Sequence, residues 1–297
     1  MFALPVLTAG ICLTDTARAA VILEETFPVN QRLAQDWPAT STWYATGIGS
    51  STTAVNDDIS GSLKLSINNT WNALTYFTEA DKPVSLGVGD SLKLTLNFEV
   101  QTKATPGDNT LRIALLNSGG NRITGDLGTS SSATFQNYTG YYVNVRPTLP
   151  TDTSATFGLA KRNKPGGSNF LLSEAYNSIA PSSGSGAPAS AENSLASGIN
   201  YTFEVVYTRT SENTLNVSVV MSGAGLDNYT YAFNDISSPF TAFDTFAIGS
   251  TNGTTLDSVT LHSLSITLTS IPEPGATGAV LGGGGLVAFL LIRRRRS

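Results

Sequence analysis

The aromatic side chains between positions 37 and 71 give the clearest indication of a function in this sequence, and that function is sugar binding. Aromatic rings present flat apolar faces that stack on the C–H faces of pyranose rings. All three tryptophans, Trp37, Trp43 and Trp71, lie here, and Tyr44 directly follows Trp43. The stretch around Trp37 and Trp43 is rich in serine and threonine, which is typical of a loop. We predict that these four residues bind a glycan; the alternative is that the rings cap one end of a core.

Catalytic groups are poorly represented. Glycoside hydrolysis needs an acid and a base or nucleophile at a fixed separation, and a Glu-x-Asp-x-Glu strand would aim such carboxylates at one cleft. No such string occurs, and the adjacent pairs Glu24-Glu25 and Asp57-Asp58 would point to opposite faces if extended. The sequence also lacks a Gly-x-Ser-x-Gly nucleophile motif. We predict no catalytic residues and no enzyme; the alternative is a polysaccharide hydrolase or lyase with an unrecognised active site.

Strict alternation of apolar and polar residues recurs along the chain. A period of two places one face of a strand in a core and the other in water, as in antiparallel sheets. No window before residue 272 combines a helical period with capping residues. The sequence therefore predicts an all-β fold of half-buried antiparallel strands. The clearest segments are 63–67, 92–100, 111–115, 201–205 and 215–219.

The last strand carries a phase slip. Val259 and Leu261 are apolar at odd positions, whereas Leu264 and Ile266 are apolar at even positions. A β-bulge near His262 absorbs one residue and turns both halves inward. His262 is the only histidine, so we predict a structural, hydrogen-bonded residue and no zinc site.

Composition excludes several classes of partner. The 297-residue chain has a formal net charge of −5, which becomes more negative when Arg18 and residues 293–296 are left out. Nucleic acids and anionic lipids need a basic face, so neither is predicted as a partner. Cys12 is the only cysteine, and disulfides therefore cannot stabilise the domain.

Residues 161–198 depart from the strand pattern because they are rich in Gly, Ser and Pro. Such a composition cannot repay the entropy of ordering a long segment. We predict a short hairpin followed by a flexible loop within one sandwich that spans residues 21–270. The alternative is a linker between two domains.

Segments 243–249 and 256–261, with the opening 24–27, resemble the last strands and first strand of concanavalin-like and carbohydrate-binding jelly rolls. The resemblance implies an antiparallel jelly-roll β-sandwich. It also implies a structural calcium ion, because several such domains hold Ca²⁺ between a first-strand Glu and a last-strand Asp. Glu24 or Glu25 and Asp257 occupy comparable places, and carboxylates suit the ion. The alternative is that these acids are solvated and that the protein needs no cofactor.

The N-terminus indicates export. Residues 1–13 are short and apolar, and Ala17-Arg18-Ala19-Ala20 supplies the small residues that signal peptidase prefers. We predict a signal peptide over residues 1–20, cleaved after Ala19 or Ala20.

The C-terminal residues 271–297 have three parts: a Pro-Glu-Pro element, an uncharged run over residues 275–292 and an arginine cluster. The run of about 18 residues is just long enough for one short transmembrane helix, and the arginines favour the cytoplasmic side. This order resembles the PEP-CTERM sorting signal, which an exosortase is thought to cut near Pro-Glu-Pro. The alternative is a permanent anchor with the prolines as a spacer. The residues that the resemblance assigns to sorting and processing are Pro272, Glu273, Pro274, Arg293, Arg294, Arg295 and Arg296.

Together these patterns predict a non-catalytic exported protein of the cell surface, envelope or exopolysaccharide matrix, with a structural or glycan-associated role. Its predicted partners are signal peptidase and an exosortase in transit, and a polysaccharide at its destination. Its inner-membrane anchor is predicted to be transient.

Overall fold

The computed structural model describes residues 17–27, 42–47, 55–58, 62–66, 71–102, 111–145, 157–163, 166–171, 175–179, 195–226, 230–250 and 256–271. Strands dominate these residues, together with a 3-10 helix over Ala133–Asn137. The strands are β1 (Arg18–Glu25), β2 (Trp43–Thr46), β3 (Val55–Asp58), β4 (Ser62–Ser66), β5 (Trp71–Tyr76), β6 (Val84–Ser85), β7 (Ser91–Thr102), β8 (Leu111–Asn117), β9 (Thr139–Val145), β10 (Phe157–Arg162), β11 (Tyr176–Ser178), β12 (Asn200–Ser211), β13 (Thr214–Ser222), β14 (Thr230–Asp235), β15 (Ala242–Phe243), β16 (Thr245–Ser250) and β17 (Leu256–Ser270).

Two antiparallel sheets form the predicted β-sandwich. One has eight strands, in the order β14-β13-β12-β7-β17-β4-β3, with β1 also paired to β17. The other has seven strands, in the order β11-β10-β9-β8-β16-β5-β2. The short strands β6 and β15 pair separately. The described residues of the five segments with clear alternation all lie in these strands, so the predicted all-β class is confirmed.

The main core lies between the two sheets and follows the sequence alternation. In β7, Leu92, Leu94, Leu96, Phe98 and Val100 are all buried, whereas the residues between them are partly or fully exposed. They meet inward residues of the seven-stranded sheet in one continuous cluster. Burial of these side chains supplies the main driving force for folding, since about 25 cal/mol is gained per Å² of apolar surface removed from water.

The predicted bulge in β17 is confirmed. The register between β17 and β7 shifts between Leu261 and Ser263, and apolar residues on both sides of the shift are fully buried. His262 lies at the shift and is half-exposed. Its Nε2 is 4.0 Å from Glu99 Oε2, which is too long for a hydrogen bond, so the structure does not show the hydrogen bond predicted for this histidine at that atom.

The seven-stranded sheet is buried on both faces. On β8, the outward residues Arg112, Ala114 and Leu116 are as inaccessible as the inward ones. A second apolar cluster covers them, built from loop residues such as Phe135 and Phe170. We call it the outer cluster. The prediction that the 111–115 strand is half-buried is therefore wrong, because loop residues within 118–138 and 166–171 fold over its outer face.

Part of the segment predicted as a flexible loop is regular structure. Lys161 and Arg162 end β10, which pairs antiparallel with β11. Both side chains are buried, at 3% and 1% exposure. The flexible loop that follows the hairpin stays a prediction. Arg162 donates hydrogen bonds to five backbone carbonyls, and Lys161 forms an ion pair of 2.8 Å with Asp235. Residues 180–194 lie outside the described residues.

The two ends of the described domain lie side by side. Arg18 pairs with Ser270 and Ala20 with Leu268, so residues of the predicted signal peptide form the start of β1. Signal-peptide cleavage stays a prediction. Within the residues described, no helix has the length and apolarity that a membrane span requires. The sorting residues 272–274 and 293–296 and the apolar run 275–292 lie outside them, and so does Trp37.

Candidate functional site

A groove opens on the outer face of the seven-stranded sheet beside its edge strand β2. Two adjoining cavities of about 360 and 280 Å³ share Thr42 and Tyr44. We call this feature the Tyr44 groove. The lining residues used below are Tyr44, Tyr76, Thr78, Glu79, Arg122 and Asp126.

Strand alternation turns the Tyr44 ring toward the groove. Its neighbours Trp43 and Ala45 are both 2% exposed and face the main core, whereas Tyr44 is partly exposed. β2 pairs with β5 so that Tyr44 lies opposite Leu74 of the outer cluster. The Tyr44 ring then lies 5.9 Å from the ring of Tyr76. The two rings give the groove an apolar floor.

Arg122 holds the first wall of the Tyr44 groove, which consists of the turn at 78–80 and the loop at 118–124. Its guanidinium donates to the carbonyl oxygens of Thr78 at 2.8 Å and Glu79 at 2.9 Å, and its Cζ lies 4.6 Å from the centroid of the Tyr76 ring. The same group pairs with the buried carboxylate of Asp244 at 3.2 Å. One side chain thus ties the turn at 78–80 to the loop at 118–124.

Asp244 orders the loop that carries Arg122. Its Oδ1 accepts hydrogen bonds from the Ser118 backbone at 2.8 Å and from the Thr245 hydroxyl at 2.6 Å. Its Oδ2 accepts from the Ser118 hydroxyl at 2.5 Å as well as from Arg122. A buried charge is tolerated only when it is paired and hydrogen-bonded, and Asp244 is satisfied in this way. This network holds the first wall in place through contacts within the protein itself.

Gly120 permits the close approach of the two loops. It has φ +78, and a Cβ at this position would lie 2.0 Å from Oδ1 of Asp81. A larger residue would therefore displace the Asp81 carboxylate, and the positive φ itself favours glycine at this position.

Asp126 fixes the second wall against β2. Its Oδ1 accepts from the Ala45 backbone at 2.9 Å, and the Leu127 N–H donates to the Ala45 carbonyl at 2.9 Å. Gly47 then donates to the Leu127 carbonyl at 3.1 Å. The loop behaves as a short extra strand beside the exposed edge of β2.

A pair of phenols lies beneath the groove. The hydroxyls of Tyr76 and Tyr138 are 2.8 Å apart, and the Ile123 backbone donates to the Tyr76 oxygen at 2.9 Å. Burial raises the pKa of both phenols above the ordinary value of 10.0. Both therefore stay neutral at physiological pH and act as hydrogen-bonding supports.

Glu79 and Asp126 are exposed acids of the groove, and Glu79 lies beside Lys82. Its carboxylate accepts a hydrogen bond of 2.5 Å from Lys82, and this bond lowers the pKa of Glu79. An ionised carboxylate accepts hydrogen bonds from hydroxyl groups, as sugars require. It does not suit general-acid catalysis, which needs a raised pKa.

The structure separates the predicted aromatic residues. Trp43 and Trp71 are 2% and 0% exposed and belong to the main core, so their rings have no face free for a sugar. For these two residues the core interpretation holds, and their assignment to a glycan surface is wrong. Trp43 and Tyr44 both line the smaller cavity of the groove, but of the described residues in that set only Tyr44 is partly exposed there. Trp37 lies outside the described residues.

The predicted calcium ligands do not come together. Glu25 is buried and pairs with Leu264, whereas Asp257 is seven residues away on β17, or roughly 20 Å at 3.3 Å per residue. Glu24 pairs with Ser265, one residue further along. The described residues contain no cluster of three metal-binding side chains. The prediction that these acids share a calcium ion is therefore wrong.

Sequence reasoning missed Arg122, Asp126 and Asp244. A usable signal was the series of isolated apolar residues in the polar stretch after β8, including Ile123, Leu127 and Phe135, which anchor a loop on a sheet. The carboxylates that fix this loop follow no local pattern.

The fold and the groove define a jelly-roll β-sandwich with a built cavity on its seven-stranded sheet. Similar solved structures include the carbohydrate recognition domain of Emp47p, with 15% identity, 84% of this chain and 96% of that chain covered, and a TM-score of 0.46. Peanut lectin gives 12% identity, coverage of 87% and 99%, and a TM-score of 0.43.

An endo-1,3-β-glucanase from Streptomyces sioyaensis gives 12% identity, coverage of 84% and 96%, and a TM-score of 0.47. At these identities the similarity concerns the fold. No protein-family model matches the sequence, and no curated protein matches it.

Proposed function

We propose that the protein is a non-catalytic, exported glycan-binding protein of the cell surface or exopolysaccharide matrix, and that the Tyr44 groove holds the sugar. The observation that carries this proposal is the partly exposed Tyr44 ring on the floor of a groove with fixed polar walls. A flat apolar face beside hydrogen-bonding groups matches the amphipathic surface of a pyranose.

The walls supply the polar part of the recognition. Thr42, Thr78 and Thr124 line the groove with hydroxyl and backbone groups, and Glu79 adds an ionised carboxylate. These groups both donate and accept hydrogen bonds, as sugar hydroxyls do. Because the walls are already fixed, binding costs little ordering of the protein.

Two carboxyl groups, those of Glu79 and Asp126, line the groove. A glycosidase needs one protonated and one ionised carboxyl group at a fixed separation. The hydrogen bond from Lys82 lowers the pKa of Glu79, so Glu79 does not suit the protonated role. The test is direct: a bound soluble polysaccharide should be recovered without new reducing ends or unsaturated products, and steady release of either would identify an enzyme.

Replacement of Tyr44 tests the groove. We expect Tyr44→Ala to weaken retention on insoluble polysaccharide about tenfold, or about 1.4 kcal/mol, because it removes the stacking face. Tyr231→Ala is the matched control, since Tyr231 is also a partly exposed tyrosine but lies on β14 of the other sheet. Equal retention by the two variants would exclude the Tyr44 groove as the binding site.

Export and sorting are part of the proposal and depend on the two ends of the chain. If the tail is processed, surface material from the native host should contain the β-sandwich and lack residues 275–297. Mass spectrometry checks this outcome. Recovery of the intact C-terminal peptide, including residues 293–297, from the mature surface protein would contradict processing and favour a permanent anchor.

A further inference from the structure

A second cavity of about 280 Å³ lies where β9 begins and β10 ends. We call it the amide pocket. Three amide side chains, those of Gln136, Asn137 and Asn163, line it and are exposed, and the ring of Phe240 is partly exposed there. Its volume is near the lower end of ligand pockets, roughly 300 Å³, which suits one small ligand unit.

Arg162 holds the wall that carries two of the amides. Gln136 and Asn137 lie in the 3-10 helix, and Arg162 donates to the carbonyl oxygens of Phe135 and Tyr138 on either side of them. Its remaining bonds reach carbonyls of the loop at 167–170. All the guanidinium donors are thus directed into the protein.

Lys161 holds the opposite wall of the amide pocket, which contains Phe240. Its ammonium donates to the carbonyl oxygens of Ser237 at 2.6 Å and Ser238 at 2.7 Å, and it lies 4.9 Å from the centroid of the Phe240 ring. The Phe240 backbone donates to the Tyr141 hydroxyl at 2.8 Å, and that hydroxyl donates to Asp235 at 2.7 Å. Two consecutive residues of β10 therefore fix both walls.

This arrangement is costly, and it leaves the pocket without a free cationic donor. Burial of a charged group carries a desolvation penalty of several kcal/mol, which only good hydrogen bonds offset. Here the charged groups of Lys161 and Arg162 donate to backbone carbonyls of the two walls, and neither group presents a free donor to the cavity. The exposed lining is made of amides, the Thr139 hydroxyl and an aromatic ring. Amides present a donor and an acceptor side by side, which matches neighbouring hydroxyls of a sugar.

We propose that the amide pocket is a second glycan subsite, which binds one unit of a neutral sugar. The choice of a glycan as the ligand rests on the proposed function, whereas the pocket itself does not depend on the Tyr44 groove. Tyr138 lines the amide pocket, Tyr76 lines the groove, and their hydroxyls are hydrogen-bonded to each other. The two cavities therefore share one rigid support.

The test is titration calorimetry of the purified protein with a panel of neutral oligosaccharides. We expect two binding sites in the wild type, one in Tyr44→Ala, one in the double variant Gln136→Ala/Asn137→Ala, and none in the triple variant. The matched control is Asn216→Ala/Asn234→Ala, which removes an exposed amide pair on β13 and β14. Asn163→Ala provides a second probe of the pocket if the double variant unfolds.

The outcomes separate this inference from the proposed function. If the amide variants bind as the wild type does, or if Tyr44→Ala alone abolishes all binding, the second subsite is overturned. If the double variant abolishes binding and Tyr44→Ala has no effect, the amide pocket stands and the Tyr44 groove fails. If the panel does not bind the wild type, the neutral-sugar subsite is overturned, while retention of a charged polysaccharide would leave the proposed function standing.

Discussion

The outer faces of the two sheets differ in how they treat charge. On the eight-stranded sheet, Lys93 and Glu204 form an ion pair in which both side chains are partly exposed, at 46% and 33%. On the seven-stranded sheet, Arg112 and Arg162 are buried, and each donates to backbone carbonyls of the covering loops. The first face is a solvated surface, whereas on the second face buried arginines hold the covering loops by hydrogen bonds. Both candidate cavities lie on the second face or at its margin, and we therefore propose both sugar sites on that side of the sandwich.

The largest expected effect comes from removing a buried cation. Arg162→Ala should lower the free energy of unfolding by about 3 to 5 kcal/mol, because it leaves several buried carbonyls without donors. Lys93→Ala should change it by about 0 to 1 kcal/mol, since the exposed pair is screened by solvent. Urea denaturation measures both. Similar losses for the two variants would remove the contrast between the faces.

An intermediate effect is expected at the phenol pair. Tyr76→Phe removes the acceptor for the Ile123 N–H and the partner of the Tyr138 hydroxyl, which should cost about 1 to 3 kcal/mol. Tyr231→Phe on β14 serves as the control and should be nearly neutral. Thermal unfolding of the two variants, followed by circular dichroism, provides the measurement.

The same phenols predict how stability depends on pH. Burial raises the pKa of Tyr76 and Tyr138 in the folded protein, so the unfolded chain loses these protons first, near its ordinary value of 10.0. Their contribution is fully present below that pH and is lost as the pH rises above it. The absorbance change that distinguishes the wild type from Tyr76→Phe along an alkaline titration should appear only together with unfolding. Ionisation of Tyr76 at pH 10 in the still-folded protein would contradict this.

The smallest expected effect is at the exposed pair beside the Tyr44 groove. Lys82→Ala should raise the pKa of Glu79 toward its ordinary value of 4.5, because it removes the hydrogen bond that lowers it. Stability should scarcely change, since both side chains are about three-quarters exposed. Carboxyl chemical shifts in an NMR pH titration report the change. An unaltered pKa of Glu79 in Lys82→Ala would show that Lys82 does not lower it.

Alternation in the sequence predicted the strands and the bulge because both depend on local periodicity. The inward residues of β7 and the change of phase at His262 are visible in sequence alone. For Trp43 and Tyr44, however, a shift of one residue decides which ring enters the core and which enters the groove. That phase is set by pairing with β5, some thirty residues away in sequence, as the pair Trp43 and Thr75 shows.

The covering of the seven-stranded sheet was not predictable in the same way. The polar stretch after β8 and the Gly-rich stretch after β10 both have the composition of open loops. They are held down by a few side chains that bond to distant backbone, such as Arg162 to Phe135 and Asp244 to Ser118. Single residues that bond to carbonyls or amides leave no periodic trace in a sequence.

The pairing of β1 with the end of β17 also determines how the domain responds to force. Because β1 and β17 run antiparallel, the start of β1 and the end of β17 lie side by side, and tension applied through them loads the ladder at its outermost pair. The hydrogen bonds then open one after another, as in a zipper, and do not share the load. The domain should therefore yield at low force by peeling β1 away, while the bond from Ile271 to Asp90 is among the first contacts to break.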